Sequence, residues 1–129
     1  MTTLSDRVRE VIDKQTFAFL ATVNPDGSPQ VSPVWIDRDE DLIVFNTAEG
    51  RVKHRNILHD PRVGLSFVDP DNAYRMVAIQ GRVVDLDTTD ADEHIDWLAR
   101  KYLGVDTYPN HREDETRVIV RIEPTRVAG

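Results

Sequence analysis

The sequence has no cysteine at any of its 129 positions. That removes disulfides, thiolate metal sites and a thiol nucleophile from consideration, and it suits a reducing compartment, so a cytoplasmic protein is expected. Long hydrophobic runs are missing too. No apolar stretch approaches the ~20 residues that a membrane span needs, and the first twenty residues, MTTLSDRVREVIDKQTFAFL, carry acids where a signal peptide has its apolar core. Neither membrane insertion nor export is expected. Positive charge is in short supply, with 16 Lys and Arg against 23 Asp and Glu and a formal net charge of −7. A field of that sign repels a polyphosphate backbone, so nucleic acid is not an expected partner. Repeats, low-complexity tracts and linkers are absent as well, and the length suits a single domain over 1–129.

What is present is a series of apolar segments punctuated by turn residues. Leu4, Val8, Val11 and Ile12 form one stripe of a short helix that Thr3 or Ser5 can cap. An apolar run over 17–23 is followed by Asn24-Pro25-Asp26-Gly27, which predicts a hairpin with its second strand over 29–37. Both faces of that second strand are largely apolar. Pro29 and Pro33 cannot donate to a ladder, which marks the stretch as irregular or edge-exposed and a candidate binding surface. Residues 41–47 read as a third strand and 51–59 as a short helix ended by Asp60-Pro61. Strands over 63–68 and 74–86 follow, the second with a bulge or bend at Gly81. Ile95, Leu98, Ala99, Tyr102 and Leu103 mark a second amphipathic helix, with Asp90 and Glu93 as a capping pair and Gly104 as its terminator. The tail alternates over 117–123 as a last strand. Six strands and a few short helices predict a β-dominated α+β fold, a barrel with helices across its openings.

The chemistry concentrates in Arg51-Val52-Lys53-His54-Arg55-Asn56, three fixed cations and a histidine within an acidic chain. On a helix, Arg51 and Arg55 are four apart and share a face, where they could clamp one anion, while Lys53 points elsewhere unless the first turn is irregular. Amides near Gly50 and Arg51, the helix dipole and a guanidinium suited to bidentate contact would make a phosphate site, with Asn46 and Thr47 as neutral donors. The competing reading is a set of surface charges pairing with Glu49, Asp39 or Asp60. His54, His59, His94 and His111 are scattered, and no metal site is expected of them. Trp35 reads as core, with stacking on a ligand ring as the alternative, and Trp97 as packing against the barrel or a partner subunit. Asp85, Asp87, Asp90, Asp92 and Glu93 read as solvated loop and helix start, and Glu113-Asp114-Glu115 as a loop.

The segments LATVNPDGSPQVSPVW and LIVFNTAEGRVKHRNILHDPRVGLSF, with an R-x-K-x-x-N pattern formed by Arg51, Lys53 and Asn56, closely resemble the pyridoxamine 5'-phosphate oxidase-like split β-barrel flavoproteins, in particular their small actinobacterial deazaflavin-dependent branch. The resemblance spans nearly the whole chain. It implies a six-stranded split barrel that dimerises with itself and holds its cofactor in a groove at the interface. Arg51, Lys53 and Asn56 would hold the cofactor phosphate, helped by Asn46 and Thr47, with Arg55 beside further anionic groups. Gln30, Val31, Ser32, Pro33 and Val34 would lie along the ring, and Tyr74, Arg75 and Met76 would reach in from the second subunit. The end, RIEPTRVAG, lacks the arginine-rich segment of the true oxidases, so vitamin B6 oxidation is not expected. The implied activity is a coenzyme F420-dependent oxidoreductase passing hydride to a small conjugated or aromatic acceptor, with no catalytic side chain required. Arg55 and His54 favour the deazaflavin, whose tail is an anionic oligoglutamate. FMN is the alternative cofactor, and a non-catalytic carrier of flavin, deazaflavin or haem the alternative function.

Overall fold

In the computed structural model, which describes residues 2–129, Ser5 caps the first helix as the spacing predicts. Its hydroxyl oxygen accepts from the Val8 amide at 3.2 Å, and α1 (Asp6–Asp13) follows. Next come β1 (Phe17–Val23) and β2 (Pro29–Trp35), joined by the predicted turn with Gly27 at a φ of 88°. The remaining elements are β3 (Asp37–Asp39), β4 (Leu42–Ala48), α2 (Val52–His59), β5 (Arg62–Asp69), β6 (Asn72–Asp87), α3 (Ala91–Leu103) and β7 (Arg117–Ala128). The strands pair antiparallel in the order β2-β1-β5-β6-β7-β4-β3. β2 and β3 stand at opposite edges of this sheet yet are separated only by Ile36. The sheet must therefore curl until its edges meet, which is the split-barrel architecture.

Among the described residues seven strands form where six are predicted, because the stretch 29–37 breaks at Ile36. The Ile36 amide donates to Tyr102 Oη at 3.0 Å, and its carbonyl accepts from Lys101 Nζ at 2.8 Å. Side chains of α3 take the place of ladder partners and turn the chain into β3. The predicted irregularity at Gly81 is present as a register shift between β6 and β7. A Cβ there would sit 2.7 Å from both the Glu123 carbonyl oxygen and Ile122 Cγ2, so the tight bend requires glycine. Gly104 ends α3 in the left-handed region at φ 70°. The predicted Asp90–Glu93 capping pair does not form: Asp90 itself lies in the left-handed region, φ 61°, and makes no side-chain cap bond.

The curled sheet encloses one apolar core, with Leu20, Ile43, Phe45 and Ile122 fully buried and α1 closing one end through Val8, Val11 and Ile12. α3 lies outside, its Ala91 against Val44 and Ile119 of β4 and β7. The outward face of β1, β5 and β6 has no such cover, and it is apolar: Phe17, Phe19, Val68 and Met76 are exposed on it, Phe17 by 57%. Among the described residues, no helix is long and apolar enough to cross a membrane.

Candidate functional site

Where β2 ends against α3, a cavity of about 340 Å³ opens between the ends of β2 and β4, the start of α2, and the loop 104–116. One wall is apolar, made by Pro33, Val34 and Trp35 of β2 with Ile95, Leu98 and Leu103 of α3. Trp35 stacks on Tyr102 with ring centres 5.2 Å apart and planes within 5°, and meets the edge of Tyr108 at 6.0 Å. Tyr102 is fixed by donating to the Thr16 carbonyl at 2.6 Å while accepting from Ile36, and burial pushes its pKa up to about 12. The stack is therefore a rigid wall, and Trp35 serves the cavity rather than the core.

Another part of the lining is cationic. Arg51, Lys53 and Arg117 line it, with Asn46 and Thr47 beside them. Arg117 is only 7% exposed; its Nε donates to Asn46 Oδ1 at 2.9 Å, and its guanidinium lies 5.3 Å over the Tyr108 ring. Glu115 bridges the two arginines, 2.9 Å from Arg51 Nη2 and 3.5 Å from Arg117 Nη1. The Arg51 hydrogen bond, with the charge of Arg117, holds its carboxyl below the ordinary range. Among the described residues Lys53 has no ion-pair partner. Burial first, and then the like charges of Arg51 and Arg117, lower its pKa. Three cations thus face one carboxylate in a part-buried cleft, an arrangement that favours an anionic ligand.

The pyridoxamine 5'-phosphate oxidase family model matches residues 4–129. The chain belongs to that family. It is similar over 97% of its length to an F420 reductase of known structure, at 32% identity and a TM-score of 0.86, covering 98% of that chain. A conserved hypothetical protein from Mycobacterium tuberculosis matches at 23% identity and a TM-score of 0.71, over 97% of this chain and 83% of that one. HupZ of Group A Streptococcus matches at 17% and 0.68, over 97% and 92%. These two show the shared fold.

Within this family member the cavity gathers six of the residues singled out from the sequence, namely Pro33, Val34, Asn46, Thr47, Arg51 and Lys53. It leaves out Gln30, Val31, Ser32, Arg55 and Asn56. The expected Arg51–Arg55 clamp does not form, because Arg51 is not in the helix: it is the N-cap residue with extended backbone, ψ 153°. Arg51 and Lys53 line the cavity instead, and Arg55 is exposed away from it. Asn56 donates both amide hydrogens, to Thr22 Oγ1 at 3.0 Å and Asn24 Oδ1 at 2.9 Å, and so ties α2 to the hairpin. Gln30 is bonded to the same Thr22 hydroxyl, Val31 lies on the exposed sheet face, and the Ser32 hydroxyl is buried without a partner among the described residues. Asn46 is not a free donor either, since its two amide hydrogens go to the Ala91 carbonyl and His94 Nδ1.

Arg117, Glu115 and Tyr108 were not singled out as site residues from the sequence. Arg117 heads an alternating strand, and the one available signal was a cation entering a position that burial would otherwise forbid. Glu115 lies in the loop expected over 113–115, with its side chain nearly buried between arginines. Asp85 and Asp87 are likewise engaged, by Arg121 at 2.8 and 3.5 Å. Trp97 is part-exposed and lies parallel to the His94 ring, 6.5 Å between centres.

Proposed function

We propose that this chain is a coenzyme F420-dependent oxidoreductase, acting on a small conjugated or aromatic acceptor. The observation that carries the reading is the pairing of an excess of cations with a flat, rigid aromatic wall in one cavity, in a chain 32% identical to an F420 reductase. The donor set fits such a cofactor: Arg51, Lys53 and Arg117 would take the phosphate and anionic tail, and Pro33, Val34 and Trp35 would flank the ring. A bound flavin or deazaflavin supplies two-electron, hydride-level chemistry. The chain contributes binding, orientation and a wall that keeps water off one face.

The same reading includes a second copy of the chain on the exposed face of β1, β5 and β6. Phe17 lies both in the cavity wall and on that apolar face, so a partner seated there would close the open side of the cavity. Tyr74 and Met76, 91% and 63% exposed, stand on the same strand as candidates to reach the partner's cavity, whereas Arg75 is paired with Asp69. Light scattering should find a dimer, and a Phe19→Glu variant should run as a monomer.

The primary test is titration of cofactor-free protein with coenzyme F420 and with FMN, followed by fluorescence, in wild type and an Arg51→Ala, Lys53→Ala double variant. Tight F420 binding, lost by at least about a hundredfold in the variant, is expected from two charge-assisted contacts. A preference for FMN would move the protein to the flavin side of the family. Binding without turnover of any acceptor by the reduced cofactor would leave a carrier.

A further inference from the structure

We propose that His94 is a positioning residue for the anion site, acting through Asn46 on Arg117. The inference rests on the reading of the cavity as a cofactor site and assigns part of its affinity to a residue outside it. A continuous chain of contacts joins four elements. Asp37 Oδ2 on β3 lies 3.3 Å from His94 Nε2 on α3. His94 Nδ1 lies 3.1 Å from Asn46 Nδ2 on β4, and Asn46 Oδ1 lies 2.9 Å from Arg117 Nε on β7. The ring is nearly buried, its side chain 13% exposed, and Trp97 lies parallel beside it.

The chemistry of the two ends fixes every proton between them. Arg117 Nε can only donate, so the group facing it must be the oxygen of Asn46. The Ala91 carbonyl, 2.9 Å from the other end of that amide, can only accept, which requires the same orientation. Asn46 therefore presents its second amide hydrogen to His94 Nδ1, and that nitrogen must be the acceptor. The ring proton is then on Nε2, directed at the Asp37 carboxylate, which is the arrangement by which a carboxylate holds an imidazole in one tautomer. Without the acceptor at His94, one of the two contacts on the NH₂ end of Asn46 is gone. One Asn46 amide hydrogen is then left without an acceptor in a part-buried site, so the amide is held less firmly, and with it the Oδ1 that aims Arg117 at the cavity.

The test is F420 titration of wild type, His94→Leu, His94→Asn, Arg117→Ala and the His94→Leu, Arg117→Ala double variant. His94→Leu should weaken binding about five- to tenfold, as loss of one orienting hydrogen bond does. His94→Asn, whose side-chain oxygen can stand in for Nδ1, should recover affinity to within about twofold of wild type. In the Arg117→Ala background the His94→Leu change should have no further effect, whereas a general packing role would be additive. Nitrogen-15 NMR of the ligand-free protein should show the Nε2–H tautomer for His94. Unchanged affinity in His94→Leu, failure of the Asn rescue, additivity in the double variant or an Nδ1–H tautomer would each overturn the positioning role while leaving the cavity reading intact. Wild-type protein that binds neither F420 nor FMN would overturn the cavity reading, and the positioning role with it.

Discussion

Two part-buried ion clusters in this molecule both set lysine and arginine against carboxylates and differ in whether their charges balance. At the turn between β5 and β6, Asp69 is buried to 1% side-chain exposure, with Lys14 Nζ at 3.0 Å and Arg75 at 3.5 Å, and Lys14 reaches Asp71 at 2.9 Å as well. Two carboxylates meet two cations, and the Asp71 amide donates to Asp69 at 2.9 Å. At the cavity, three cations meet one carboxylate. The two lysines register the difference in opposite directions: hydrogen bonds to Asp71 and Asp69 raise the pKa of Lys14, while burial and its cationic neighbours lower that of Lys53. A balanced cluster ties α1 to the β5–β6 turn and needs nothing more. An unbalanced one holds free energy that an incoming anion can release, which separates a strut from a binding site better than the number of charges does.

Breaking the balanced cluster should have the largest effect on stability and none on the cavity. Asp69→Ala leaves Arg75 without its acid and the Asp71 amide without its acceptor, and Tm should fall on the order of 5–10 °C with F420 affinity unchanged. The Asp71 amide, followed by Lys14, holds the Asp69 carboxyl below its ordinary value of 3.8. Its contribution is therefore complete above the ordinary carboxylate range and is lost as pH falls through the depressed value. Acid melts of wild type and variant should converge there.

The unbalanced cluster should respond the other way. Lys53→Met removes a desolvated, repelled charge, so Tm should hold or rise, while F420 affinity falls by at least about tenfold. The folded pKa of Lys53 lies below its unfolded value, so the unfolded chain binds the extra proton in the interval between them and stability contributed by this residue rises with pH there. Anion binding needs the protonated form. Wild-type affinity should decline with pH from a point below 10.5, and that decline should be absent in Lys53→Met. A melting temperature that drops with Lys53→Met would erase the distinction between the two clusters.

Much of the barrel was legible in the sequence because its signals are local: Ser5 as a cap, the Asn24–Gly27 turn, and Gly81 where a Cβ would collide with β7. The break at Ile36 was not, since it is made by Lys101 and Tyr102, sixty-odd positions away. The site divided along the same line. Arg51 and Lys53 stood out as a local inversion of charge. Arg117 and Glu115 did not, because their meaning arises only when β7 pairs with β4 and brings residue 117 opposite Ala48. His94 looked isolated for the same reason. Periodicity also put Arg51 and Arg55 on one helix face, because it treats Arg51 as helical when the chain there is still extended.

The finest adjustment of the comparison is Glu115→Gln, which keeps the shape and the acceptor oxygen but removes the one carboxylate between Arg51 and Arg117. If Glu115 serves to offset repulsion between Arg51 and Arg117, its loss should tighten F420 binding by about threefold, since the incoming anion no longer competes with a resident one. Tm should fall by a few degrees at neutral pH. Because the Arg51 hydrogen bond depresses the Glu115 pKa, the wild-type contribution persists above the ordinary carboxylate range and disappears as pH drops through the lowered value, where wild type and variant should melt together. Weaker binding in Glu115→Gln would mean that the carboxylate holds Arg51 in its binding orientation. The cluster would then be nearer to the balanced one than its charges imply, with Lys53 alone left to draw the anion.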